Sequence, residues 1–240
     1  MKRAYYLLML ITLLLNSCHA SYIQNGKYAL SYKYINPSIS PTNGINRYKV
    51  LIQNKKVLQV VDLKEGKLIE PSQAYGLDYV MQYITKDKKA LPLNKPIKIK
   101  PSNQSFVIYI DNIKRVKNNY TLNPLVEKKE ELLKNYYNWS RKNINYYKFR
   151  VQDSRFSNTY LEGVELTVKN GRIIDAIDVR NYTKIDTNNR YFLTIKKLFG
   201  VAIWDIKDAV IDYDLNYYYP TLIKLGNGIT ITSYYLHPLK

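Results

Sequence analysis

The chain has 240 residues, 25 of them tyrosine, and sets 37 Lys and Arg against 19 Asp and Glu, a formal net charge of +18. Its single cysteine excludes an internal disulfide, and its two histidines, His19 and His237, offer no credible Ser-His-Asp or Cys-His pair and no zinc spacing. The length suffices for one large or two small domains, each able to bury a core.

At the N-terminus, Lys2 and Arg3 precede an apolar run from Tyr5 to Leu15, long enough for a secretory segment and short for a bilayer span. Leu15-Asn16-Ser17-Cys18 closes that run with the sole cysteine. These residues resemble the lipobox of bacterial lipoproteins, in which the cysteine becomes the acylated first residue of the mature chain. The resemblance implies a signal peptide over residues 1–17, lipidation of Cys18 and a tether over residues 18–26. Ordinary secretion with cleavage after Cys18-His19-Ala20 is the other reading of the same small residues. His19 is not the aspartate associated with inner-membrane retention in Gram-negative lipoproteins, so the resemblance favours the outer membrane, facing the periplasm. No second apolar run of spanning length follows, which leaves acyl chains as the expected anchor.

In that compartment a basic protein meets anionic lipid head groups, acidic glycans and acidic proteins, and nucleic acid is not an expected partner. A composition rich in Lys, Asn and Tyr is also what an AT-rich genome writes. The distribution is more telling. Residues 22–126 carry 17 basic and 6 acidic side chains, whereas residues 127–240 carry 18 and 13, so an electrostatic surface is expected mainly on the first half.

The first half, residues 27–126, reads as a strand over Tyr28–Tyr34, a hairpin over Lys49–Leu63 turning at Asn54, and a helix over Gly76–Lys88 with Leu77, Val80, Met81 and Ile84 on one face. The second, residues 127–240, is expected to open on a helix within Pro124–Asn143. There Leu132, Leu133, Tyr136 and Trp139 repeat helically, and Glu127 and Glu131 favour the N-terminal turn. A strand over Tyr147–Gln152 and a hairpin over Glu165–Val179 follow, with an Asn170-Gly171 turn. A helix over Thr194–Lys207 places Ile195, Leu198, Phe199, Ala202, Ile203 and Ile206 on its apolar face. Strands over Ala209–Tyr213, Leu222–Leu225 and Ile229–Leu236 end the chain, the last two joined at Gly226-Asn227-Gly228.

The halves share a plan. Both hairpin segments have the same length, with Asn and Asp at matching places. Tyr120-Thr-Leu122-Asn-Pro124-Leu125 matches Tyr234-Tyr-Leu236-His-Pro238-Leu239 at nearly equal distances from the hairpin asparagines. The expected class is α+β: two tandem modules, each an antiparallel sheet with helices packed on one face, the first a diverged copy of the second.

Trp139, Asn145-Tyr146-Tyr147-Lys-Phe149, Val164 to Ile173, Thr194 to Phe199, Asp212-Tyr213-Asp214 and Tyr219-Pro220-Thr221 occur in an order that resembles the bacterial envelope family called domain of unknown function 6174, across residues 127–240. The resemblance implies fold and envelope location, and no established activity. An acidic segment often found after Tyr-Pro-Thr in that family is replaced here by Leu225-Gly-Asn-Gly-Ile-Thr-Ile.

Chemistry-bearing residues are few. Asp212 and Asp214 alternate on one strand, which would put both carboxylates on the same side to hold a cation or share acid and base roles. A solvated strand face is the plainer expectation. Tyr217, Tyr218 and Tyr219, before Pro220, form either an aromatic binding surface or packing. Trp139 and Trp204 read as core anchors. No cofactor and no metal are expected. The function expected is a non-enzymatic binding module on the envelope whose partner is a protein or an anionic lipid or glycan. The alternatives are a structural or assembly accessory of the outer membrane, and a hydrolase using Asp212 and Asp214.

Overall fold

The computed structural model describes residues 26–36, 45–86, 93–100 and 105–240, so the expected signal peptide, Cys18, His19 and the tether up to residue 25 lie outside it. The chain divides into two compact units, one within the residues up to Leu122, the other comprising Asp62–Lys67 and Asn123–Lys240 together with the segment ending at Ile45. No helix among the described residues is long and apolar enough to cross a membrane.

The first unit contains β1 (Lys27–Ile35), β2 (Ile45–Gln53), β3 (Lys56–Asp62), β4 (Lys67–Ile69), α1 (Leu77–Lys86), β5 (Pro96–Ile99) and β6 (Phe106–Arg115). Its six-stranded antiparallel sheet has the order β4-β3-β2-β1-β6-β5. Strand β1 therefore pairs with the hairpin on one side and with the distant β6 on the other, Tyr28 facing Arg115 and Ile35 facing Val107. Leu30 and Tyr32, Tyr48, Val50 and Ile52, and Ile108 and Ile110 alternate into one core with Leu77, Val80 and Ile84 of α1. Burial at the first, fourth and eighth positions of α1 gives the face expected from the sequence. Between β2 and β3, Asn54 and Lys55 both have positive φ, 49° and 64°. Two consecutive left-handed residues match the right-handed twist of the flanking strands, and Asn tolerates this conformation better than Lys.

The second unit contains α2 (Pro124–Arg141), β7 (Tyr146–Asp153), β8 (Val164–Lys169), β9 (Arg172–Asp178), α3 (Ile195–Trp204), β10 (Val210–Tyr213), β11 (Pro220–Lys224) and β12 (Thr230–Pro238). Its sheet order is β10-β11-β12-β7-β8-β9. Read from the hairpin edge, five strands follow the same order as in the first unit: third, second, first, last and next to last. The sixth strand differs, being added outside the hairpin as β4 in one unit and outside the last pair as β10 in the other. Tyr147, Phe149 and Val151 of β7 share a core with Leu166, Val168, Leu198, Phe199, Leu132 and Trp139.

Three expectations are corrected. In α2, Leu133 is 44% exposed, while Glu127, Lys128, Glu131 and Asn135 are buried with Leu132 and Trp139. Polar groups enter because they find partners: the Lys128 ammonium donates to the carbonyls of Glu65 and Ala209, and the Asn135 amide to the Glu131 carbonyl and carboxylate. In α3, Ile203 is partly exposed and Trp204 is 80% exposed. Trp204 stands nine residues after the buried Ile195, and at about 100° per residue it projects from the opposite side. Finally, Tyr120–Leu125 does not match Tyr234–Leu239 in structure. Asn123 caps α2 and Pro124 is its first residue, whereas Tyr234–Pro238 lie in β12, whose counterpart in sheet order is β6.

The hydroxyl of Tyr147 accepts a hydrogen bond from the backbone N–H of Ile195, the first residue of α3, at 3.3 Å. Burial pushes this hydroxyl up to about 12. Two outcomes are expected in urea unfolding. Lys55→Gly stabilises the chain by about 1 kcal/mol, because glycine adopts the left-handed region without penalty. Tyr147 remains protonated in the folded state between pH 10 and 12 while its unfolded counterpart ionises, so its contribution is lost as pH rises through that window. Tyr147→Phe should then lose about 2 kcal/mol less than wild type between pH 10 and 12, while costing about 1 kcal/mol at neutral pH, where the Ile195 N–H loses its acceptor.

Candidate functional site

The two aspartates singled out in the sequence do not share a face. β10 pairs with β11 through Asp212 opposite Leu222 and Tyr213 opposite Pro220, with a bulge between the two positions. The bulge breaks the alternation, and Asp212 and Tyr213 are both buried. Asp212 is 1% exposed, not a solvated strand residue, and its carboxylate pairs with the Lys64 ammonium at 2.5 Å. Asp214 lies past the strand end. Its Oδ1 accepts from the backbone N–H groups of Asn216 at 2.8 Å and Tyr217 at 2.6 Å, the geometry of an aspartate-closed turn. Each carboxylate therefore holds structure of its own. Among the described residues no group of three or more His, Cys, Asp or Glu is placed to hold a metal ion.

The tyrosine triplet splits as well. Tyr219 is buried, its ring 6.3 Å from that of Trp139, and burial pushes its hydroxyl well above its ordinary range. Tyr217 is partly buried against the same core. Tyr218, at a φ of 66°, sets its ring 5.6 Å from the Lys142 ammonium. His237, near the end of β12, is exposed.

A different group of side chains converges on β7, β8 and β12. Lys148 and Arg150 alternate with the core residues of β7, and Glu165 of β8 lies 3.4 Å from both cationic groups. Strand pairing sets Arg150 opposite Tyr234. The register shifts between Tyr234 and His237, and there Tyr235 has a φ of 55° and is 73% exposed. Its ring lies 5.5 Å from the Arg150 guanidinium and 5.1 Å from the Tyr234 ring, edge to face. The Tyr234 hydroxyl is anchored on the Glu162 carbonyl at 3.1 Å. At the other end of β7, Lys169 lies 5.2 Å from the ring of Tyr146.

A non-glycine residue in the left-handed region costs about 1–2 kcal/mol. For Tyr235 little burial offsets that cost. What the conformation achieves is display: an aromatic ring held beside a cation, able to stack on a planar group, hydrogen-bond through its hydroxyl and favour an anionic or aromatic partner. Arg150 and Tyr235 stand 85 residues apart, and only the pairing of β7 with β12 joins them. Alternation along the expected strand Tyr147–Gln152 puts Arg150 on the non-core side; nothing local announces its partner.

The second unit is thus an α+β domain whose sheet joins its first strand to its last and presents charged and aromatic side chains on β7 and β12. Residues 131–231 match the model described as Family of unknown function (DUF6174). This is the family that the residues from Trp139 to Thr221 resemble. The match takes in Arg150, Asp212 and Tyr217–Tyr219 and ends before Tyr234 and Tyr235. No curated protein and no solved structure gives a significant match.

If Tyr235 is held for display, Tyr235→Asn should raise stability by about 1 kcal/mol, because asparagine tolerates positive φ and the ring contributes little burial. Chemical unfolding of the two proteins side by side measures the difference.

Proposed function

We propose that the protein is a lipid-anchored component of a bacterial envelope that acts as a non-enzymatic interaction module. Acyl chains on Cys18 hold it at the periplasmic face of the outer membrane. The observation that carries the binding role is Tyr235, kept in a strained conformation, exposed, and set beside Arg150. Solvent-exposed aromatic and arginine side chains are the types that dominate binding energy at interfaces. The carboxylates best suited by sequence to chemistry are committed instead to an ion pair at Asp212 and a turn at Asp214. The partner this patch suits is another envelope protein.

The architecture proposed with this function is a pair of related modules, each with its helices packed on one face of its sheet. The shared five-strand order supports duplication. So do two details: both hairpins turn at an asparagine with positive φ, and both third strands end on an aspartate, Asp62 and Asp178, whose carboxylate accepts from the backbone two residues on.

Fractionation of cells carrying Cys18→Ala tests the anchor. The variant should leave membranes washed at high salt, which releases purely electrostatic contacts, with an unchanged circular dichroism spectrum, and its retention after that wash would count against lipidation. A photo-crosslinking residue at position 235 tests the patch. It should give a defined protein adduct that a probe at the exposed Ile174 does not give, and Arg150→Ala should weaken it at least tenfold; equal labelling from both positions would remove the binding role.

A further inference from the structure

One end of the first sheet is built from three separated segments and carries an unbalanced positive charge. The start of β1 is tied to the hairpin turn by paired backbone and side-chain bonds: the Gly26 N–H donates to Asn54 Oδ1 at 3.1 Å, and the Asn54 N–H donates to the Gly26 carbonyl at 3.0 Å. The end of β6 joins on the other side, with Tyr28 opposite Arg115 and the Val116 N–H bonded to the Lys27 carbonyl at 2.9 Å. The Lys27 ammonium, itself buried, fixes the following segment by donating to the Asn118 carbonyl at 2.7 Å. Lys55, Lys56, Lys114, Arg115 and Lys117 are thereby gathered at this end, all exposed. No acidic residue occurs in residues 26–28, 53–57 or 113–119. Asp111, farther along β6, pairs with Lys33 at 3.4 Å.

This is also the end at which the chain enters the fold. Seven residues separate Cys18 from Gly26, so, whatever their conformation, the segment reaches no farther than about 28 Å. On the reading that Cys18 is acylated, the bilayer surface is within that distance of the cationic end. Charge complementarity then selects the occupant: a surface of anionic head groups attracts Lys and Arg brought within about a Debye length of it, roughly 8 Å at physiological salt.

We infer that the end of the first sheet formed by Gly26, the Asn54-Lys55 turn and the Arg115–Lys117 segment docks on the anionic lipid head groups of the membrane that carries the anchor. The cations supply a second membrane signal beside the acyl chains, and they orient the first unit with β1 running away from the bilayer. Beside a hydrocarbon anchor, a basic patch adds electrostatic attraction to anionic lipid and fixes which end of the unit meets the bilayer.

The inference rests on the lipid-anchor reading, but its test does not need the lipid. Full-length mature chain carrying Cys18→Ser is mixed with vesicles of neutral phosphatidylcholine, or of phosphatidylcholine with 30% phosphatidylglycerol, and bound protein is measured by sedimentation. The expected result is at least tenfold tighter binding to the anionic vesicles, weakened by salt. Adding Lys55→Glu, Lys56→Glu and Arg115→Glu should remove at least tenfold of it. The same charge reversal at the exposed Lys196, Lys197 and Lys224 of the second unit should change it less than threefold, with circular dichroism confirming that each variant is folded. Equal loss in both triple variants would reduce the effect to net charge and overturn the proposal, as would absence of anionic-vesicle binding. Retention of Cys18→Ala in membranes washed at high salt, where the charge contact is screened, would sink the anchor reading separately.

Discussion

The pairing of each unit's first strand with its last is the constraint on which the rest depends. β1 lies between β2 and β6, and β7 between β8 and β12, so neither sheet is continuous until its C-terminal strand returns to the middle. The helix-bearing connections, with α1 in one unit and α3 in the other, carry the chain from the hairpin edge to the far side. Local pairing yields only hairpins, and isolated hairpins are marginal in water. Closure gives each core its second half: Ile108 and Ile110 of β6 meet Leu30 and Tyr32, and Ile231 of β12 joins Phe149 and Val151. The surfaces of interest arise from the same pairing, since it sets Tyr234 opposite Arg150 and Arg115 opposite Tyr28.

What was legible in the sequence was local. The Asn170-Gly171 turn, its counterpart at Asn54, the apolar face of α1 and the presence of a helix within Pro124–Asn143 follow from residue type and spacing within a dozen positions. The strands of the first unit after α1 carried weaker signals: β5 has four residues and begins with Pro96, and β6 has a polar far end. A match between Tyr120–Leu125 and Tyr234–Leu239 therefore stood in for the true correspondence of β6 with β12. The site is obscured in the sequence for a related reason. Strict alternation placed Asp212 and Asp214 together, and one bulge, invisible in the sequence, buried the first and left the second in a turn. Trp204 was different, because helical angle alone puts it outside and only its apolar character suggested the core.

Helix α2 shows how a buried surface can be polar without being unsatisfied. Burial holds the Lys128 ammonium below its ordinary range, with Glu65, Asp208, Asp205 and Asp62 acting in the opposite direction. Its hydrogen bonds to two backbone carbonyls give the charge fixed partners. Gly66 is part of the same arrangement. A Cβ there would stand 2.4 Å from the Lys128 side chain, so the turn leaves space for the lysine stem by having no side chain at that position. An apolar residue in place of Lys128 would leave both carbonyls without this donor, and such directional demands give a packed surface one arrangement rather than several.

The three-segment construction of the cationic end has a consequence for timing. An unfolded chain contains the same lysines, but Lys27, Lys55 and Lys117 are then scattered along a flexible polymer, each diluted among polar neighbours. Pairing of Gly26 with Asn54 joins the start of β1 to the Asn54-Lys55 turn, and only the return of β6 to β1 adds Lys114, Arg115 and Lys117. Local charge density at this end is therefore a property of the finished sheet, complete only after the last strand of the unit has paired.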